Sequence, residues 1–255
     1  MKIGIFDSGL GGLCVLHQAK KMLPGADFIY YADEEHVPYG EKTPKQVKEF
    51  VKEIFDFMIG KEVDAIVIAC NTATSIVSME FRNNFPVPII GMEPAVKKAV
   101  DMYGNENKRI LVAATPITIH GKKLHDLVEH VDIHHDVDLI PLPGLVRFAE
   151  NGQFEGIKIE DYLRKELNKY DIDSYGTIVL GCTHFNYFKS DFKKIFGEDI
   201  HFVDGNEGTI NQLIRVLPKD ISLEGIGDIQ YYFSGVRSDD NIIIKKCISQ
   251  LEGNV

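Results

Sequence analysis

Two nine-residue stretches hold the side chains best suited to chemistry. In IVIACNTAT, residues 66–74, an aliphatic run passes through Ala69 into Cys70 and turns polar at Asn71, Thr72 and Thr74. In TIVLGCTHF, residues 177–185, a similar run passes through Gly181 into Cys182, Thr183 and His184. Each reads as a buried strand ending on a thiol, with a helix starting just beyond it. Such a helix start aims free N–H groups and a positive dipole end at the sulfur, which favours thiolate. A free cysteine titrates near about 8.5, so a modest depression supplies reactive thiolate at neutral pH.

Two such thiols admit three uses: a redox disulfide, a pair of metal ligands, or two bases in one proton transfer. Cys182 and His184 form only an i, i+2 pair, and no second Cys/His cluster has zinc spacing. His134 and His135 precede Asp136 but alternate across an expected strand and read as a solvated edge. Redox pairs more commonly sit in C-x-x-C, which none of the four cysteines forms. Proton transfer remains the best use, with one sulfur on each side of a carbon and each needing its own helper group. Cys14 and Cys247 lie inside helical patterns and read as small buried hydrophobes.

Helpers are visible in the sequence. DSGLGG, residues 7–12, joins the first strand to the first helix and is neither G-x-G-x-x-G nor a P-loop. It places Asp7 and Ser8 at a strand end, where Asp7 can take a substrate ammonium or assist a thiol. His184 is placed to hydrogen-bond Cys182 or its incoming proton. The loop tip Val37–Gly40 offers an aromatic hydroxyl and backbone amides suited to a carboxylate.

The elements that must position these groups alternate between short aliphatic runs and helical periods, the pattern of βαβ units and a mainly parallel sheet. Strands are expected at 2–6, 28–32, 65–69, 87–92, 109–114, 134–142, 177–180, 200–204 and 230–235. Helices are expected over 13–23, from Pro44 behind a Thr43 cap to Gly60, over about 72–84, after Pro94, after the TPIT turn, after Pro143, over 159–170, from Cys182 to about Phe196, near Glu207 and from about Asp239. The recurrence of the cysteine stretch suggests an internal duplication of two α/β halves. A length of 255 residues fits one large or two modest domains.

Composition narrows the partners. Acidic residues outnumber basic ones, 38 to 28, and no Lys/Arg run exceeds two, which disfavours nucleic acid as a partner. No apolar run approaches the roughly 20 residues of a membrane helix, and MKIGIFDSG is not a signal peptide; a cytoplasmic protein is expected.

Taken in order, DSGLGG, VPYG, ACNTAT, TPIT and LGCTHF resemble the cofactor-independent glutamate racemases of bacterial cell-wall synthesis. The resemblance implies two pseudo-symmetric α/β domains with the active site in the cleft between them. Residues 1–93 with 206–255 would form the first domain and 94–205 an inserted second one. It also implies a homodimer and no pyridoxal phosphate or metal. Cys70 would serve the face of the D-enantiomer and Cys182 that of the L-enantiomer. Asp7 would support Cys70, with His184 and Glu150 near Cys182. Ser8, Asn71, Thr72, Thr115, Thr118 and Thr183 would hold the α-groups of the amino acid, and Tyr39 with Gly40 its side-chain carboxylate.

PLPGLVRFAENG, which contains Glu150, and NYF after His184 depart from the stretches usual in that family. Neither departure touches the thiols. A racemase of aspartate or another amino acid, a Cys–His hydrolase using Cys182 alone, and a non-enzymatic ligand-binding module stand as alternatives.

Overall fold

A computed structural model describes residues 1–92, 95–104, 108–218, 225–239 and 242–253. Its described residues form ten strands, β1 (Lys2–Asp7), β2 (Asp27–Ala32), β3 (Ala65–Ile68), β4 (Ile89–Gly91), β5 (Arg109–Ala114), β6 (Val137–Pro141), β7 (Tyr175–Leu180), β8 (His201–Val203), β9 (Ile229–Phe233) and β10 (Val236–Ser238). They build two sheets with helices between and around them, in the orders β10-β9-β2-β1-β3-β4 and β6-β5-β7-β8. Every pairing is parallel except the β9–β10 hairpin. The expected α/β class is therefore observed.

The order β2-β1-β3-β4 in one sheet matches β6-β5-β7-β8 in the other, strand for strand. In each sheet the first strand is central and the chain switches sides around it, which opens a crevice beyond the carboxyl ends. Cys70 follows β3 and Cys182 follows β7, so the two thiols occupy equivalent places. Late in the chain, β9 pairs with β2 and returns to the first sheet. The junction expected at 93–94 lies outside the described residues.

Strand faces alternate as a two-sided buried sheet requires. Ile3 and Ile5 of β1 face a core that also holds Leu111 and Ala113 of β5, while Phe6, Ile66 and Ile68 face the helix Pro44–Gly60. One continuous apolar core thus reaches from sheet to sheet and carries the relative placement of the two cysteines. At roughly 1.5–3 kcal/mol for each fully buried large side chain, this contact resists separation.

The helix Pro44–Gly60 has the expected bounds. Thr43 Oγ1 accepts from Gln46 N at 3.3 Å, Gln46 Oε1 accepts from Thr43 N at 3.0 Å, and Val47, Val51, Ile54, Phe55 and Met58 fill one buried face. Elsewhere local chemistry cut expected elements short. The helix expected over 72–84 is two pieces, Asn71–Ile76 and Met79–Arg82, because Val77 is extended and Ser78 Oγ caps the second piece by accepting from Phe81 N at 3.2 Å. After Cys182 the chain forms a 3₁₀ segment, Thr183–Phe188, before the α-helix Lys189–Phe196.

His134 and His135 lie in an exposed turn ahead of β6 rather than within it. His135 adopts φ 59°, and Asp132 accepts from Asp136 N and Val137 N at 2.9 and 3.0 Å. The strand β10 was not expected. Asp239 is not helical, residues 240–241 lie outside the described residues, and the last helix spans Ile242–Gly253. Among the described residues no helix is long and apolar enough to cross a membrane, and no cluster of three metal-ligating side chains occurs.

Candidate active site

Beyond the carboxyl ends of β1, β3, β5 and β7 the expected residues converge. Asp7, Ser8, Cys70, Thr72, Thr115, Cys182, Thr183 and His184 are all buried, and Asn71, Thr118, Gly40 and Glu150 are partly so. Cys70 is 4% and Cys182 5% exposed, so the thiol pair is shut off from solvent. A cavity of about 740 Å³ beside them is lined by Asn71, Ser75, Thr118 and Gly181 over Val112 and Val179, and neither cysteine lines it.

Cys70 caps the short helix Asn71–Ile76. Its Sγ accepts from Ala73 N at 3.4 Å and lies 3.6 Å from Ser8 Oγ, to which the thiol donates. The helix start therefore does reach the sulfur. It does not set the protonation state: burial first, and then the charge of Asp7, push the Cys70 thiol well up, against the smaller pull of Ala73 N–H and Ser8. The expectation that a helix N-terminus would favour thiolate at Cys70 is thus reversed by its surroundings, which hold it as a thiol. Cys182 also raises the thiol of Cys70, so the two sulfurs lie within electrostatic reach of each other.

Cys182 has a different escort. Its Sγ is 3.6 Å from Nδ1 of His184, and Nε2 of that ring is hydrogen-bonded to Oε1 of Glu150. Burial alone would discharge the imidazole, but hydrogen bonds to Cys182 and Glu150, with their charge, hold its pKa well above the ordinary range. The same Glu150 Oε1 accepts from Leu10 N at 2.8 Å, which ties it to the DSGLGG loop. That loop is braced again where Tyr30 donates to Gly9 O at 2.6 Å and Tyr187 to Leu10 O at 2.7 Å.

Gly11 faces the second half so closely that a Cβ there would stand 2.5 Å from Thr183 Oγ1 and 2.6 Å from His184 Nδ1. Close approach, more than turn geometry, requires glycine at this point.

Asp7 is fully buried, accepts from Gly9 N at 3.2 Å and from Thr183 Oγ1 at 3.3 Å, and is pushed up from 3.8 to about 6 by burial, against the pull of charged His184. A folded pKa above the unfolded one means the folded state resists ionisation. The penalty is absent below about 3.8, grows through about 6 and is fully present above it. A rise of this size corresponds to about 3 kcal/mol. Asp7→Asn is therefore expected to be more stable than the wild type at pH 8 and to lose that advantage near pH 4. Denaturant unfolding of both proteins at the two pH values checks this.

The threonines form a line across the crevice. Thr72 Oγ1 meets Thr115 Oγ1 at 2.9 Å, and Thr115 meets Thr118 at 3.0 Å. A Cβ on Gly40 would stand 3.0 Å from that of Thr115, and Arg147 pairs with Glu41 at the surface. Residues following the strands of one sheet thus touch those of the other on several sides of the thiols. Tyr39 is placed otherwise than expected: its ring is buried, and its hydroxyl donates to Asp33 Oδ2 at 2.6 Å instead of opening into the crevice.

Asp33 is a site residue that the sequence reading does not single out; it stands just past β2 as Asp7 ends β1, and a carboxylate at a strand end is the available signal.

The crevice of this doubly wound α/β fold is closed and holds one differently escorted thiol from each half. The profile of the Asp/Glu/hydantoin racemase family matches residues 14–213, and the chain belongs to that family. It is 49% identical over 247 residues to glutamate racemase 2 of Bacillus subtilis, a match covering 96% of this chain and 93% of the relative. Its fold superposes on the crystal structure of glutamate racemase from Campylobacter jejuni with a TM-score of 0.83 at 27% identity, covering 99% and 98% of the two chains. The glutamate racemase from Francisella tularensis in complex with D-glutamate gives 0.79 at 26%, covering 98% and 93%. The protein is an isomerase of the racemase class.

Proposed function

We propose that this protein interconverts L- and D-glutamate by cofactor-independent proton transfer between Cys70 and Cys182. The observation that carries this reading is the pair of thiols at equivalent strand ends, each with its own helper. Cys70 has Ser8 and Asp7, and Cys182 has His184 and Glu150.

The unequal escorts give the resting enzyme a direction. Cys182, beside the charged His184, takes the α-proton of the L-enantiomer, while Cys70 waits as the thiol that reprotonates the opposite face. After one turnover the roles are exchanged, and D-glutamate is handled in reverse.

Asp7 and Ser8 take the substrate ammonium, whose positive charge draws the Asp7 carboxyl back down and offsets its burial. Asn71, Thr72, Thr115, Thr118 and Thr183 hold the α-groups of the amino acid. The first N–H groups of the helix after Cys70 and of the 3₁₀ segment after Cys182 face the negative charge that develops there. Tyr39 and Gly40 receive the side-chain carboxylate.

Both thiols are nearly inaccessible, so substrate enters by a hinged opening of the crevice between the halves 1–93 with 206–255 and 94–205, which the shared apolar core keeps joined, and closure then dries the site. The same reading makes the protein a cytoplasmic homodimer that supplies D-glutamate for peptidoglycan.

The test is L-glutamate in deuterated buffer with purified reduced protein and no added cofactor, followed by circular dichroism and the α-proton resonance. Decay of the optical signal to zero with deuterium at the α-carbon is expected. A constant signal from folded protein would refute glutamate racemisation. Run with aspartate, the same assay decides between the two substrates, since one methylene in a pocket is worth only about 1–3 kcal/mol.

A second reading has one observation behind it. Cys182, His184 and Glu150 stand in the hydrogen-bonded order of a nucleophile, base and orienting acid. Such a hydrolase would not need Cys70.

A further inference from the structure

We infer that Asp33 is a positioning residue that holds the loop receiving the substrate's side-chain carboxylate and turns the Tyr39 hydroxyl away from it. The inference rests on the assignment of Tyr39 and Gly40 to that carboxylate and changes which of their atoms do the binding.

Asp33 is the first residue after β2, 2% exposed, and its N–H donates to Asp7 O at 3.1 Å. Its carbonyl accepts from His36 N and Val37 N at 3.2 and 3.1 Å. Its carboxylate accepts from Tyr39 Oη at 2.6 Å and meets His36 Nδ1 at 2.8 and 3.0 Å. His36 in turn stacks on Phe50, with ring centroids 3.7 Å apart, and the Tyr39 ring lies 6.1 Å from Phe50 and 6.2 Å from Phe6. One buried carboxylate thus joins a strand end, a stacked imidazole and a buried phenol, and no step of the proton transfer uses it. An ionised group so deep costs free energy unless donors surround it, and here two side chains are drawn in to do so.

The consequence lies in the hydrogen-bond count. A phenol has one proton, and that of Tyr39 is given to Asp33. What remains on the hydroxyl is a lone pair, which cannot bind a carboxylate, and Asp33 behind it repels one. The donors left are the N–H groups of Tyr39 and Gly40, the opening residues of the 3₁₀ turn Tyr39–Glu41 and hence without partners inside that turn. Their aim is set by where the Tyr39 ring is fixed, and Asp33 fixes it.

The inference is tested by steady-state kinetics on glutamate with Asp33→Ala, His36→Ala and Tyr39→Phe, alone and combined. Asp33→Ala is expected to raise KM by about tenfold with kcat changed by less than about twofold, as loss of uniform binding would. His36→Ala, at a partly exposed ring that no reading assigns to substrate, is expected to raise KM about threefold, and this holds the test if Asp33→Ala does not fold. Asp33→Ala combined with Tyr39→Phe should be no worse than Asp33→Ala alone, because both remove one hydrogen bond.

Unchanged KM in both Asp33→Ala and His36→Ala, with only a lowered melting temperature, would reduce Asp33 to a fold-stabilising group and overturn the inference. So would a further rise in KM when Tyr39→Phe is added to Asp33→Ala, since the hydroxyl would then touch substrate. Absence of glutamate turnover by the wild-type protein would overturn the functional reading as well, whereas normal wild-type turnover with unmoved variants removes the Asp33 inference alone.

Discussion

Cys70→Ser and Cys182→Ser are each expected to lower kcat/KM for racemisation by about 10²–10⁴-fold, the range that a positioned acid or base contributes. Serine keeps the shape of cysteine at sites 4% and 5% exposed, so folding should survive while the proton-transfer group is lost. The enantiomers have equal free energy, so kcat/KM in the two directions must fall by the same factor in each variant. The asymmetry of the site is read instead from exchange without inversion. With Cys70 replaced, Cys182 still takes the α-proton of L-glutamate, and its thiol trades hydrogen with solvent through His184. L-Glutamate then acquires deuterium while its optical signal stays constant, and D-glutamate does not.

Cys182→Ser should show the mirror result, more weakly, because Cys70 is held as a thiol by burial and Asp7. Full racemisation by Cys70→Ser would end the two-base assignment and favour the reading in which Cys182 acts alone.

What the sequence reveals here is whatever is written in adjacent residues. Thr43, Pro44 and Gln46 announce a helix start through contacts three residues apart, and the observed helix begins there. Cys70 and Cys182 are legible because a buried parallel strand must be aliphatic until it ends, so the first polar residue marks the crevice. The turn signal of Ser234–Gly235 is equally local. Both residues have positive φ, 45° and 83°, and the two-residue turn pairs Phe233 with Val236. The break at Val77–Ser78 was also readable, since serine competes for a cap wherever a helix passes it.

Other properties of the site depend on groups far apart in the chain. The thiol state of Cys70 depends on its burial and on Asp7, 63 positions earlier in the sequence. The direction of the Tyr39 hydroxyl depends on Asp33, which is near in sequence but placed by β2 and its pairing with β1. Gly11 looks like one more turn glycine until Thr183 and His184 are brought against it. Glu150 came from family likeness alone, in a segment that departs from the usual pattern, yet its carboxylate meets His184 and Leu10 N. Pattern gives the strand ends, whereas protonation and hydrogen-bond direction belong to the assembled crevice.

Glu150→Gln separates the two contacts of that carboxylate. The imidazole of His184 is held charged by Cys182 and Glu150 against burial, so kcat/KM should fall on the alkaline side as the Cys182–His184 pair loses its proton. Removing the negative charge of Glu150 lowers that apparent pKa, so the alkaline limb is expected to move toward acid by about one unit or more and activity at pH 8 to fall more than at pH 6. Stability follows the same sign. A histidine with a raised folded pKa contributes stability that is fully present below about 6.5 and is lost as pH rises through the folded value, and Glu150→Gln should reduce that contribution.

His184→Gln, which removes the titrating ring, should cost about 10²–10⁴-fold and make a further Glu150→Gln change nearly silent, because the two act as one unit. The competing account gives Glu150 only the bracing of Leu10. It predicts a lower melting temperature with the alkaline limb unmoved, and additive losses in the double variant. A glutamine Oε1 can still accept from Leu10 N, so a shifted limb in a variant of unchanged melting temperature would assign the carboxylate to His184.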